Sequence, residues 1–150
     1  MRTLLAVQLF ALAAALPAHS ALAAEKPLAI APTSSAVKWG ACPPLFARGC
    51  EIAVLHGDPA RPNADVLLRV PGGFFLQPHR HSSAERMILV SGRLQVRYQG
   101  ARPQILTAGT YAYGPAGLPH EARCLGRERC VLFIAFEGPV DAEPVKGPIR

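Results

Sequence analysis

Residues 73–98 read GFFLQPHRHSSAERMILVSGRLQVRY, and this stretch decides the fold. Leu94-Gln95-Val96-Arg97-Tyr98 alternates apolar and polar side chains, the period of two that belongs to a strand with one face in a core. Arg86 to Val90 forms an apolar run before it, and Ser91-Gly92 supplies the turn between them. Upstream, His79 and His81 stand two apart. A strand puts both imidazoles on one face at that spacing, whereas a helix would splay them by about 200° and they could not share an ion. Ser82-Ser83-Ala84 then turns the chain and brings Glu85 to the head of the next strand, within reach of the same point.

The same rhythm repeats outward. Val37 to Trp39, Glu51 to Leu55, Asp65 to Val70, Phe74 to Gln77, Thr110 to Tyr113 and Cys130 to Phe136 are short apolar stretches, nearly all closed by Gly, Pro or Asp. Strands of this length, regularly spaced between turn residues, indicate an all-β barrel or sandwich, and no window offers a capped amphipathic helix. A chain of 150 residues that is half apolar suffices for one domain and is too short for two. The expected organisation is a barrel over residues 37–138, preceded by an Ala- and Pro-rich flexible leader over 24–36 and followed by a frayed tail over 139–150.

Met1 and Arg2 lead into an apolar run from Leu4 to Leu16 that is too short to span a bilayer and is followed by Pro17 and small residues. This reads as a secretory signal peptide over residues 1–23, cleaved after Ala21-Leu22-Ala23; an uncleaved anchor is the alternative. The predicted location is secreted or periplasmic, without stable membrane insertion. An oxidising compartment lets disulfides persist. The sequence-local pairing joins Cys42 to Cys50 around Pro43 and Pro44, and Cys124 to Cys130 around a hairpin turn, with buried free thiols as the alternative. Neither pair has the spacing of a zinc ribbon or a thioredoxin-like site. The 16 Lys and Arg outnumber the 10 Asp and Glu, but the excess is scattered, with no basic run and no interleaved aromatics, so a nucleic-acid partner is not indicated.

His120 follows a proline-bounded turn, Pro115-Ala116-Gly117-Leu118-Pro119, and can deliver a further ligand from another strand. Three neutral nitrogens and one carboxylate oxygen suit one divalent first-row ion, Fe(II), Mn, Co, Ni, Cu or Zn, rather than Ca or Mg. Four such groups inside a barrel are costly to bury unless something coordinates them. His56 lies in His-Gly-Asp-Pro, a turn signature, and reads as a surface residue.

These residues also carry a family resemblance. Gly73, five residues, His79-Arg80-His81, three residues, Glu85, six residues, Gly92 is similar to the first motif of the cupins. Gly109, five residues, Pro115-x-Gly117, two residues, His120 is similar to the second. The resemblance implies a double-stranded β-helix, or jelly-roll barrel, and a metal site made of His79, His81, Glu85 and His120. It departs at Cys124, where the family usually carries Asn, a position outside the metal shell. Parity places Phe75 and Gln77 with His79, and Met87 and Leu89 with Glu85, as pocket-lining candidates whose default role is core. Arg69, Arg97 and Tyr113 are candidate contacts for an anionic substrate. The family includes dioxygenases, isomerases, decarboxylases and oxalate-degrading enzymes, so the implied function is a metal-dependent oxidoreductase or isomerase acting on a small molecule. The alternative is a non-catalytic sensing or binding module resembling that of anti-sigma factors. Barrels of this kind often form homodimers.

Overall fold

The computed structural model describes residues 25–150 and is all-β, with two antiparallel sheets packed face to face. The predicted signal peptide lies outside the described residues. The strands are β1 (Gly40–Ala41), β2 (Glu51–His56), β3 (Ala64–Val70), β4 (Phe75–Arg80), β5 (Glu85–Ser91), β6 (Arg93–Tyr98), β7 (Gln104–Thr107), β8 (Tyr111–Gly114), β9 (His120–Cys124), β10 (Cys130–Phe136) and β11 (Glu143–Pro144). One sheet runs β1-β2-β3-β10-β5-β8 and the other β11-β4-β9-β6-β7. After β3 the chain passes from one sheet to the other at every step except β6 to β7, which makes a jelly roll.

Alternation explains the packing. Leu94 and Val96 on β6 are buried while Arg93, Gln95 and Arg97 face outward, and β10 repeats buried and half-buried positions along its whole length. Inward side chains such as Val66, Leu68, Leu94 and Leu132 form the core between the sheets. Full burial of each stabilises by roughly 1.5–3 kcal/mol. Both sulfur pairs close as the local pairing predicts, with Cα atoms 5.4 Å apart for Cys42–Cys50 and 5.8 Å for Cys124–Cys130. Gly92, in the turn between β5 and β6, has φ of +85°, and a Cβ there would stand 2.5 Å from the Arg129 carbonyl oxygen, so only glycine fits.

The ends differ from expectation. Ile30, Val37 and Trp39 lie on the outer face of the six-stranded sheet with Ala53 and Leu67, so the leader covers an apolar patch. The tail is also docked: β11 pairs with β4, the Val145 amide donates to the Pro78 carbonyl, the Gly100 amide donates to the Arg150 carbonyl, and Ile149 is buried. Neither segment is periodic. Their order comes from tertiary pairing to the barrel, a contribution that local pattern does not carry.

Candidate metal centre

His79 ends up on β4, His120 opens the neighbouring β9, and the two are direct cross-strand partners. Glu85 opens β5 in the facing sheet, and His81 stands in the short connection between β4 and β5. The Gly117 amide donates to the His81 carbonyl, which ties the loop before His120 to the β4–β5 connection. All four side chains are buried, and ligand nitrogens of the three histidines lie within 4.8 Å of one another.

Each imidazole is oriented by its own backbone acceptor. The Nδ1–H of His79 donates to the Gln77 carbonyl (2.7 Å), that of His120 to the Leu118 carbonyl (3.1 Å), and that of His81 to the Asp141 carbonyl. A carbonyl can only accept, so Nδ1 carries the proton and each neutral ring keeps its lone pair on Nε2. Burial holds the rings neutral. It lowers His79 to about 3, helped by the neighbouring His120, lowers His120 to about 4, and lowers His81.

Glu85 is the odd member. Its Oε1 lies 3.3 Å from His120 Nε2 and its Oε2 3.5 Å from His81 Nε2, close approaches of an acceptor to lone pairs rather than to protons. Oε1 is buried with no hydrogen-bond partner, and burial pushes the carboxyl up to about 8. A buried acceptor without a donor, facing imidazole lone pairs, is the environment that a cation satisfies. The donor set therefore fits a borderline first-row ion. Gly114 makes the space: it pairs with Glu85 across β5 and β8, and a Cβ there would stand 2.7 Å from Glu85 Oε1.

The centre opens into a cavity of about 70 Å³ between the sheets. Met87, Leu76 and Phe136 wall it; Pro43 and Phe46 of the Cys42–Cys50 loop reach its lining from one side and Val140, Asp141 and Ala142 from the tail. The rings of Phe46 and His79 meet edge to face at 5.0 Å.

Of the parity-based pocket residues, Met87 lines the cavity, whereas Leu89 is fully buried in the core away from it. Phe75 and Gln77 point to the opposite face, and Leu76 takes the inner position. The reason is a bulge: between the pairs Leu76↔Ala122 and His79↔His120, β4 spends one more residue than β9, which reverses the parity. Phe75 instead lies beneath the Arg123 guanidinium on the outer surface. Arg69 pairs with Glu51 and covers Trp39, while Arg97 and Tyr113 stay outside the cavity, so none of the three can meet a bound anion there. Reasoning from sequence missed Gly114, Asp141 and Tyr98. The Tyr98 ring stands 5.2 Å from that of His120, its hydroxyl is buried without a partner, and burial together with Glu85 raises its pKa.

A jelly roll with a buried histidine cluster at one end of its interior defines a cupin. The chain belongs to the ChrR cupin-like domain family, whose model matches residues 29–141. No curated protein matches it in sequence. Among solved structures, the DMSP lyase DddQ from Ruegeria pomeroyi is 18% identical, with a TM-score of 0.64 over 75% of this chain and 64% of that one. An RmlC-like cupin from Shewanella frigidimarina is 20% identical, with a TM-score of 0.58 over 70% and 86% of the respective chains. An oxalate oxidase is 17% identical, with a TM-score of 0.57 over 71% and 60%. Likeness at these identities speaks for the fold alone, and the chain spans less than two thirds of the lyase and oxidase chains.

Proposed function

We propose that this is an exported metal-binding cupin in which His79, His81, Glu85 and His120 hold one divalent first-row ion, and that it acts on a small organic molecule as a dioxygenase-like oxidoreductase or an isomerase. The observation that carries the metal is the partnerless Glu85 oxygen among three imidazoles whose Nδ1 protons are already engaged. A bound ion would supply Lewis acidity, or redox chemistry if it is iron or manganese. The protein supplies orientation: three fixed rings, a carboxylate and apolar walls that exclude water. The two disulfides support export, because they persist in an oxidising compartment.

One observation favours the second reading, a non-catalytic binding or sensing module. Among the described residues, Asp141 is the only ionisable side chain beyond the four ligands that lines the cavity, so general acid–base help is scarce. Elemental analysis of the native protein, followed by oxygen uptake with small carboxylates, phenols and thiols, separates the two. Iron or manganese with turnover supports the enzyme; zinc without turnover supports the module; no stoichiometric metal sinks both.

A further inference from the structure

We infer that the ligand of this centre is a small monoanion with one metal-binding head on a short apolar body, and that dicarboxylates are excluded. The inference rests on the metal reading above and follows from the charge and chemistry of the cavity wall.

Among the described residues, no lysine or arginine lines the cavity. Apart from the ligands and Asp141 every lining side chain is hydrocarbon, thioether or aromatic. Within the coordination shell a divalent ion less the Glu85 carboxylate leaves one net positive charge, which a single anionic head neutralises, and Asp141 outside that shell leaves no surplus for a second. A second carboxylate would then sit in a low-dielectric wall without a counter-charge or a side-chain donor, an unfavourable state unless paired. The cations that might have paired with it are engaged outside, Arg80 with Glu143 and Arg86 with Glu137. Asp141 adds to the selection. Its Oδ1 accepts the Ser82 amide (2.9 Å), which anchors a further negative group beside the lining.

Size points the same way. The cavity of about 70 Å³ is about half the volume of a protein cavity that accepts benzene, so the body is a few carbon atoms long. Phe46 and Val140 flank it with more apolar surface, which suits an alkyl or aryl group and not a charge.

The test uses the full mature chain loaded with cobalt(II), whose visible spectrum reports ligands entering the metal shell. Cobalt content is measured first, then butyrate and succinate are titrated at matched pH and ionic strength. Butyrate should bind at least about tenfold more tightly than succinate. Phe46→Arg, which sets a cation against the apolar lining, should narrow or reverse that ratio; if this variant fails to fold, the wild-type comparison decides alone. One cobalt per chain with succinate bound as tightly as butyrate, or with neither bound, overturns the inference and leaves the metal reading standing. Cobalt well below one per chain removes the metal reading, and the inference goes with it.

Discussion

Without a bound ion the protein should lose stability as pH rises above about 7, with Glu85 as the cause. Burial raises the Glu85 carboxyl from 4.5 to about 8 and lowers His79 and His120 from 6.5 to about 3 and about 4. Folded His79, His81 and His120 stay neutral here, but their unfolded counterparts are half protonated at 6.5 and finish releasing protons about one pH unit higher, which adds an opposing slope over that interval. Glu85 still differs: the unfolded chain has released its proton, while the folded chain keeps it up to about pH 8. Stability that the neutral carboxyl retains in full below 4.5 is therefore lost at about 1.4 kcal/mol per pH unit as pH climbs toward 8. Relative to Glu85→Gln, which shares the imidazole contribution, the metal-free protein should lose about 2 kcal/mol between pH 6.5 and 8, and the difference should level off above that. Below about pH 7 the slope reverses, because the unfolded chain takes up protons that folded His79, His81 and His120 resist, so the optimum falls near pH 7. Urea unfolding at several pH values and constant ionic strength measures this directly. Glu85→Gln keeps the shape and cannot titrate, so its stability should rise slightly over the same window as the unfolded imidazoles lose their protons, and the metal-loaded protein should not decline there either, because the ion takes the place of the proton. Profiles of the metal-free wild type and Glu85→Gln that run parallel from pH 6.5 to 8 would refute the reasoning.

Three further outcomes follow from the geometry. His81→Ala or His120→Ala should abolish stoichiometric metal binding and lower the melting temperature of protein purified with metal; full metal content in either variant refutes its role as a ligand. Gly114→Ala should lower metal affinity without removing a ligand, because the added Cβ would meet Glu85 Oε1 at 2.7 Å, and competition with a chromophoric chelator should show a loss of about tenfold or more; unchanged affinity counts against Glu85 in the shell. Ile149→Ala, in the docked tail, should cost about 2–5 kcal/mol in urea unfolding, whereas no measurable loss would show that the tail contributes nothing in solution.

Much of this architecture was legible because it is local. The alternation of Leu94 to Tyr98, the two-residue spacing of His79 and His81, and the short loops between paired cysteines each require only neighbouring residues and strand geometry. What escaped depends on distant parts of the chain. The parity of Phe75 and Gln77 is reversed by a bulge set by pairing with β9, and Pro78, which has no amide proton to offer a partner strand, was the one local sign of it. Strands β7 and β11 are short, and the first strand forms at Gly40–Ala41 rather than at Val37 to Trp39. Trp39 instead packs on the outer face of the sheet beneath Arg69. Gly114 escaped because its role is to leave a space, and a space has no sequence pattern.

Three histidines alone would form a tolerable buried cluster, since each neutral ring satisfies its donor on a carbonyl and leaves only a weakly demanding lone pair. Glu85 changes that balance. Its Oε1 accepts no hydrogen bond, and its neutral form adds a proton that the chain resists losing until about pH 8. Gly114 keeps the carboxylate in place, where a larger residue would push it aside, and the tail orients His81 through the Asp141 carbonyl. Strands from both sheets and the last residues of the chain thus converge on one unsatisfied oxygen. Whatever neutralises that oxygen stabilises the whole barrel, so metal affinity and folding stability should rise and fall together.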